Sequence, residues 1–369
     1  MKRIVVLCDG TWNSPDIKDT THLVELALAL DTGDDQKVAY FSGVGVNDDR
    51  QFDNFLVRGI NKYIGGATGL GLGAKVKSAY KFIADNYEKD DEIYLFGFSR
   101  GAFTARSVAG MIRKCGITKD TRPRAIRKAF RLYRKSGDRN HPDSERIQRK
   151  RIEMSPNFAT SDAENLARSQ AVPVVNLAYV GVWDTVGARG IPKAVFGFVA
   201  TLWNAQYQFH DMELSGLVKS ARHAVASDEQ RVFFEPSLWH NISALNQEAN
   251  APAGEAPYQQ KWFVGDHAII GGSAELDALS KYTLAWVAEG AKDLRFRSGA
   301  KPSTAGADYK ATTERLTNPG GLYEIAQNLM GWRKGPTDEA DLHGSTKDRL
   351  RDDTSYRPGS LARFFSLFD

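Results

Sequence analysis

The run Ile93-Tyr94-Leu95-Phe96-Gly97-Phe98-Ser99-Arg100-Gly101-Ala102-Phe103 drives an apolar strand into a Gly-x-Ser-x-Gly turn and out into a helix. Few chain geometries accommodate it. A serine on so cramped a strand-to-helix turn needs glycines at Gly97 and Gly101, because side chains there would collide with neighbouring backbone. The pattern predicts a nucleophile elbow with Ser99 held out at the edge of a sheet. Small or apolar residues then repeat at Ala105, Val108, Ala109 and Ile112, and Gly116 stops the helix. The helix dipole therefore points its positive end at Ser99. The plainer alternative is an ordinary strand-helix turn in which Ser99 only caps the helix.

Short apolar runs recur at Ile4 to Cys8, Val38 to Phe41, Ile93 to Phe96, Ala178 to Trp183 and Trp262 to Val264, with helical patterns between them. Strands separated by helices argue for an α/β class, a mostly parallel central sheet flanked by helices on both faces. At 369 residues the chain is read as one domain, 1–369, carrying two helical insertions. The first, 117–170, is basic. It sets Arg122, Arg124, Arg127, Lys128, Arg131, Arg134 and Lys135 against Ile126, Phe130 and Tyr133 at helical spacing. That is an amphipathic helix packed on the core, or one that also meets an anionic surface. Within it, the polar stretch 157–170 reads as a linker or exposed helix. The second insertion, 188–257, is dense in large apolar and aromatic residues, as a lid over an apolar pocket or a core helix pair would be.

A net charge of +4 provides no global field for nucleic acid and argues against that partner. Cys8 and Cys115 lack any CxxC spacing and read as small buried residues. The glycines from Gly65 to Gly73 meet neither nucleotide-binding fingerprint, and no metal constellation or cofactor motif is present. The apolar run after Lys2 and Arg3 stops too soon for a signal peptide, and no stretch has membrane-spanning length. A chain made in the cytoplasm is expected.

A serine hydroxyl becomes a good nucleophile only when a histidine takes its proton and a carboxylate orients that histidine. In the elbow fold these follow the serine in the order acid, then histidine. Asp184 ends the apolar run Tyr179 to Trp183, and His267 follows Trp262-Phe263-Val264-Gly265-Asp266. Both fit. His223, in Ser220 to Val225, reads as lying on an amphipathic helix and is the rival base. The oxyanion hole is expected from the backbone N–H of Arg100 and from the loop after the first strand, where Gly10 permits close approach and Thr11 is the second donor. Asp9 is expected to be buried beside the site and bonded to turn backbone.

Taken in order, Cys8-Asp9-Gly10-Thr11-Trp12-Asn13, Gly43-Val44-Gly45, Gly97 to Arg106, Gly181 to Gly187, His223-Ala224 with Asp228 to Arg231, and Trp262 to His267 resemble the α/β-hydrolase domain of the first class of type VI secretion lipase effectors. The resemblance implies a serine hydrolase of lipid or phospholipid acyl esters with Ser99, Asp184 and His267 as its triad. It also implies delivery by a secretion system, with a delivery or immunity protein as partner. The readings that compete with it are a soluble esterase of small or carbohydrate-linked esters, and a binding module on a hydrolase fold.

Overall fold

Seven strands form a single sheet among the described residues: β1 (Arg3–Cys8), β2 (Gln36–Phe41), β3 (Ile60–Tyr63), β4 (Glu92–Phe98), β5 (Asn176–Trp183), β6 (Val218–Ala226) and β7 (Tyr258–Phe263). In β1 the side chains divide between two cores, Ile4, Val6 and Cys8 entering one and Val5 and Leu7 the other. A strand covered on both faces carries an unbroken apolar run rather than an alternating one. In β4, likewise, Ile93 and Leu95 go one way and Tyr94, Phe96 and Phe98 the other. Residues 1–10, 21–42, 60–63, 72–186, 213–231, 234–252, 255–272, 277–313 and 330–369 are described in this computed structural model.

All six strand pairings are parallel, in the order β3-β2-β1-β4-β5-β6-β7. The chain builds outward from β1 in one direction, returns, and builds outward from β4 in the other. The carboxyl ends of β1 and β4 therefore flank the point where strand order reverses, the place where ligands enter open α/β sheets. One face is covered by α1 (His22–Ala29); the other by α2 (Leu72–Asn86) and α3 (Arg100–Cys115).

Residues 117–170 form a helical layer outside α3: α4 (Pro123–Tyr133), α5 (Glu145–Met154) and α6 (Asp162–Leu166). Helix α4 buries Ile126, Ala129, Phe130, Leu132 and Tyr133, and leaves Arg124, Arg127, Lys128 and Arg131 exposed. The stretch 157–170 is not a free linker. Glu164 is fully buried, and its carboxylate accepts from Arg151 Nε at 2.7 Å, Thr160 N at 2.9 Å and Arg168 Nε at 3.1 Å. Burial works against its charge, but the Arg151 guanidinium beside it holds the carboxyl below its usual range.

Further along the chain are α7 (Ile242–Glu248), α8 (His267–Ile270), α9 (Asp277–Gly290) and α10 (Gly344–Asp352). Helix α9 joins α1 in covering its face of the sheet. The range 188–257 differs from the helical insertion expected of it, for it contains β6, an interior strand; residues 188–212 lie outside the described residues. His223 consequently sits on a strand and not on a helix. Its polar neighbours mimic an amphipathic pattern because the strand's partly exposed end carries Lys219, Ser220 and Arg222. The C-terminal residues 330–369 cap the outer edge of β7. There Trp262 bridges Leu342, and its carbonyl accepts from His343 N at 3.0 Å and Thr346 Oγ1 at 2.9 Å. An edge so covered cannot template pairing with another chain.

Replacing Glu164 by alanine strands the buried Arg151 and Arg168 guanidiniums. The Glu164→Ala variant is expected to lose about 3–5 kcal/mol of stability, read from urea unfolding.

Candidate active site

Because every strand is parallel, the ends of β1, β4, β5 and β7 open on one rim. The register pairs Cys8 with Gly97 and Phe98 with Trp183, so the residues that follow are neighbours in space. At Ser99 the backbone takes φ 57° and ψ −121°, a conformation L side chains rarely adopt. The flanking positions explain how this turn closes. A Cβ at Gly101 would lie 2.0 Å from the Cys8 carbonyl oxygen, and one at Gly97 would lie 2.5 Å from the Gly101 carbonyl oxygen. Helix α3 is thereby pressed against the end of β1.

Three side chains converge there. The Ser99 hydroxyl lies 2.9 Å from His267 Nε2, and His267 Nδ1 lies 2.5 Å from Asp184 Oδ2. Ser99 N donates to the Trp183 carbonyl at 3.0 Å, which ties the turn to the end of β5. The His267 ring sits between the Phe98 and Phe234 rings, with centroids 4.8 and 4.6 Å away. Its backbone N–H donates to Glu229 Oε2 at 3.1 Å, and Asp266 caps α8 through Ala268 N and Ile269 N. Position and ring plane are thus held from several sides.

Asp184 is completely buried and has φ 36°. Besides His267, its carboxylate accepts from Ala226 N at 3.0 Å and from both terminal nitrogens of Arg333, at 2.7 Å to Oδ1 and 2.8 Å to Oδ2. Burial alone would raise its pKa; the Arg333 guanidinium and the His267 bond instead hold it well below the usual carboxylate range. Burial depresses the His267 pKa below 6.5, against the opposing pull of Asp184.

His223 takes no part in this cluster. Its Nε2 accepts from Thr185 N at 3.1 Å, so Nδ1 carries the proton that bonds Gln260 Oε1 at 2.9 Å. Burial, with Arg106 nearby, pushes its pKa down to about 3. A neutral imidazole bracing the turn after Asp184 is what this geometry makes of it.

On the β1 side, Asp9 is buried, and its carboxylate accepts from Gly10 N at 2.7 Å, Thr21 Oγ1 at 2.7 Å and the Tyr40 hydroxyl. Gly10 spends its N–H on Asp9, which leaves it a steric role: a Cβ there would come within 3.0 Å of Ser99 Cβ. Thr11 lies outside the described residues. Arg100 opens α3, where first-turn N–H groups have no carbonyl acceptor within the helix. Chemically, a hydroxyl against an imidazole against a buried carboxylate, at a helix N-terminus, can attack an acyl carbon and steady the resulting oxyanion. A separate cavity of about 410 Å³, lined by Arg106, Arg113, Lys114, Tyr133 and Trp239 among others, does not include Ser99.

Arg333 has no counterpart in the sequence reading, since Trp332-Arg333-Lys334 belongs to no motif. Glu229 lies within the Asp228 to Arg231 motif, which gives no local sign of its contact with His267 N.

A strand-borne serine elbow on a parallel sheet, with the histidine and acid delivered by later strands, defines an α/β-hydrolase-like protein. The chain belongs to the type VI secretion family described as phospholipase effector Tle1-like, catalytic domain, whose model matches residues 2–290. It is 26% identical over 240 residues to the uncharacterized protein YEL023C of Saccharomyces cerevisiae, covering 63% of this chain and 32% of that one. Among solved structures, an uncharacterized protein from Pseudomonas aeruginosa aligns at 13% identity and a TM-score of 0.37, covering 77% of this chain and 44% of that one. A Tle1 effector bound to the VgrG spike of the type 6 secretion system aligns at 16% and 0.33, covering 73% and 51%. Est2, an esterase from Thermogutta terrifontis, aligns at 11% and 0.32, covering 78% and 81%. The chain spans about a third of the yeast relative's length and about half of each of the first two structures. Among the described residues no helix is long and apolar enough to cross a membrane.

A base must be neutral to accept a proton, and a depressed pKa keeps His267 neutral further into acid. The acid limb of a kcat/KM profile for a soluble ester is therefore expected to have its midpoint below 6.5, falling as pH drops through it.

Proposed function

We propose that this chain hydrolyses carboxylic esters through an acyl-enzyme on Ser99. His267 takes the hydroxyl proton as Ser99 attacks the acyl carbon, then returns it to the departing alcohol. Asp184 holds the imidazole in the required tautomer and stays ionised. The backbone N–H of Arg100, with Thr11 as second donor, receives the oxyanion. Water attacks the acyl-enzyme, with His267 again as base, and releases the acid. The observation carrying this reading is the continuous relay from Asp184 through His267 to Ser99, at 2.5 and 2.9 Å, ending on a strained serine.

Membership of a phospholipase effector family of the type VI secretion system favours lipid acyl esters as substrates and delivery by a secretion system, with a delivery or immunity protein as partner. The exposed cations of α4 suit an anionic lipid surface. A fluorophosphonate probe is expected to label the wild type and not Ser99→Ala, in which kcat falls by about 10⁴-fold or more. Turnover is expected to rise when phospholipid passes from monomers to vesicles. Activity confined to monomeric esters would replace the lipid reading with that of a soluble esterase, and an unlabelled wild type would remove the hydrolase altogether.

A further inference from the structure

The Asp184 carboxylate has four acceptor positions, and four donors fill them. Arg333 Nη1 and Ala226 N serve Oδ1, while Arg333 Nη2 and His267 Nδ1 serve Oδ2. Arg333 is itself buried, and its remaining bonds run to the carbonyls of Ala226 and Phe234. It comes from the segment beyond residue 290, where the family match ends. Resting on the catalytic reading above, we infer that Arg333 is the positioning residue of the acid, locking the Asp184 carboxylate onto His267 and offsetting part of its charge.

Two consequences separate this from a latch that merely holds the C-terminal segment in place. A two-pronged guanidinium fixes the orientation of a carboxylate, which a single ammonium cannot do. And a cation bonded to the acid weakens the attraction the acid exerts on a protonated imidazole, so the base is kept neutral at lower pH. Among the described residues, the other charged groups facing His267 are Glu229 and Arg231 from the segment after β6, with Asp266 on its own segment committed to capping α8. Glu229 and Arg231 are bonded to one another, and among the described residues Arg333 is the cation bonded to the acid.

The test follows histidine ring signals of the full chain by NMR across the acid and neutral range, with His267 assigned by its loss in His267→Gln. In Arg333→Gln the His267 titration is expected to move to higher pH, and kcat/KM for a soluble ester to fall by roughly tenfold to a hundredfold as the acid is misplaced. Arg333→Lys keeps the charge and loses the fork, so it is expected to titrate close to wild type while kcat still falls. A folded Arg333→Gln, judged by near-ultraviolet circular dichroism, whose His267 titrates as in the wild type would overturn the inference. Should the glutamine variant not fold, an Arg333→Lys protein with wild-type kcat would overturn it instead. The titration needs no turnover, so it tests Arg333 even where fluorophosphonate fails to label Ser99 and the hydrolytic reading falls.

Discussion

The contact on which the molecule turns is backbone against backbone: the start of α3 pressed onto the last carbonyl of β1 at Gly101 and Cys8. No side chain fits between them. That closeness lets a strand, a sharp turn and a helix share one small volume, and it forces Ser99 into a conformation the chain would otherwise avoid. It also places the turn where strand order reverses, so that loops from both halves of the sheet diverge around it. The site is thus a product of packing as much as of chemistry.

Charge at this rim is arranged in layers. The innermost is a hydroxyl and an imidazole between two aromatic rings, and the next is a carboxylate saturated with donors. Such an anion is tolerable in a dry interior only because every acceptor position is filled. Glu164 shows the same principle far from the site, where one buried acid gathers Arg151 and Arg168 and welds α5 to α6. In both places the chain stabilises a buried carboxylate with arginine, whose planar fork delivers two bonds at once.

How much of this could be read beforehand depended on whether the constraint was local. The elbow was legible because glycine at Gly97 and Gly101 is a steric necessity visible in five residues. The strands before Ser99, Asp184 and His267 were legible as apolar runs with chemistry at their ends. Strand β6 was not, because an interior strand carrying Arg222 and His223 looks polar until Trp286 and Gln260 are seen to satisfy them. Glu164 was hidden although its partners are only four to thirteen residues away, because the polar stretch around it has no apolar periodicity to mark one acid as buried. Arg333 left no local trace at all.

Arg333 and Asp184 are 149 residues apart in sequence. Joining them closes a very long loop, so their pairing is among the contacts that a growing chain must make late. The glycines that shape the nucleophile turn lie at the end of the fourth strand and the start of the helix that follows it, whereas the last donor to the acid comes after all seven described strands. The donor set around Asp184 is therefore completed only once the chain beyond the last strand has folded back over the sheet.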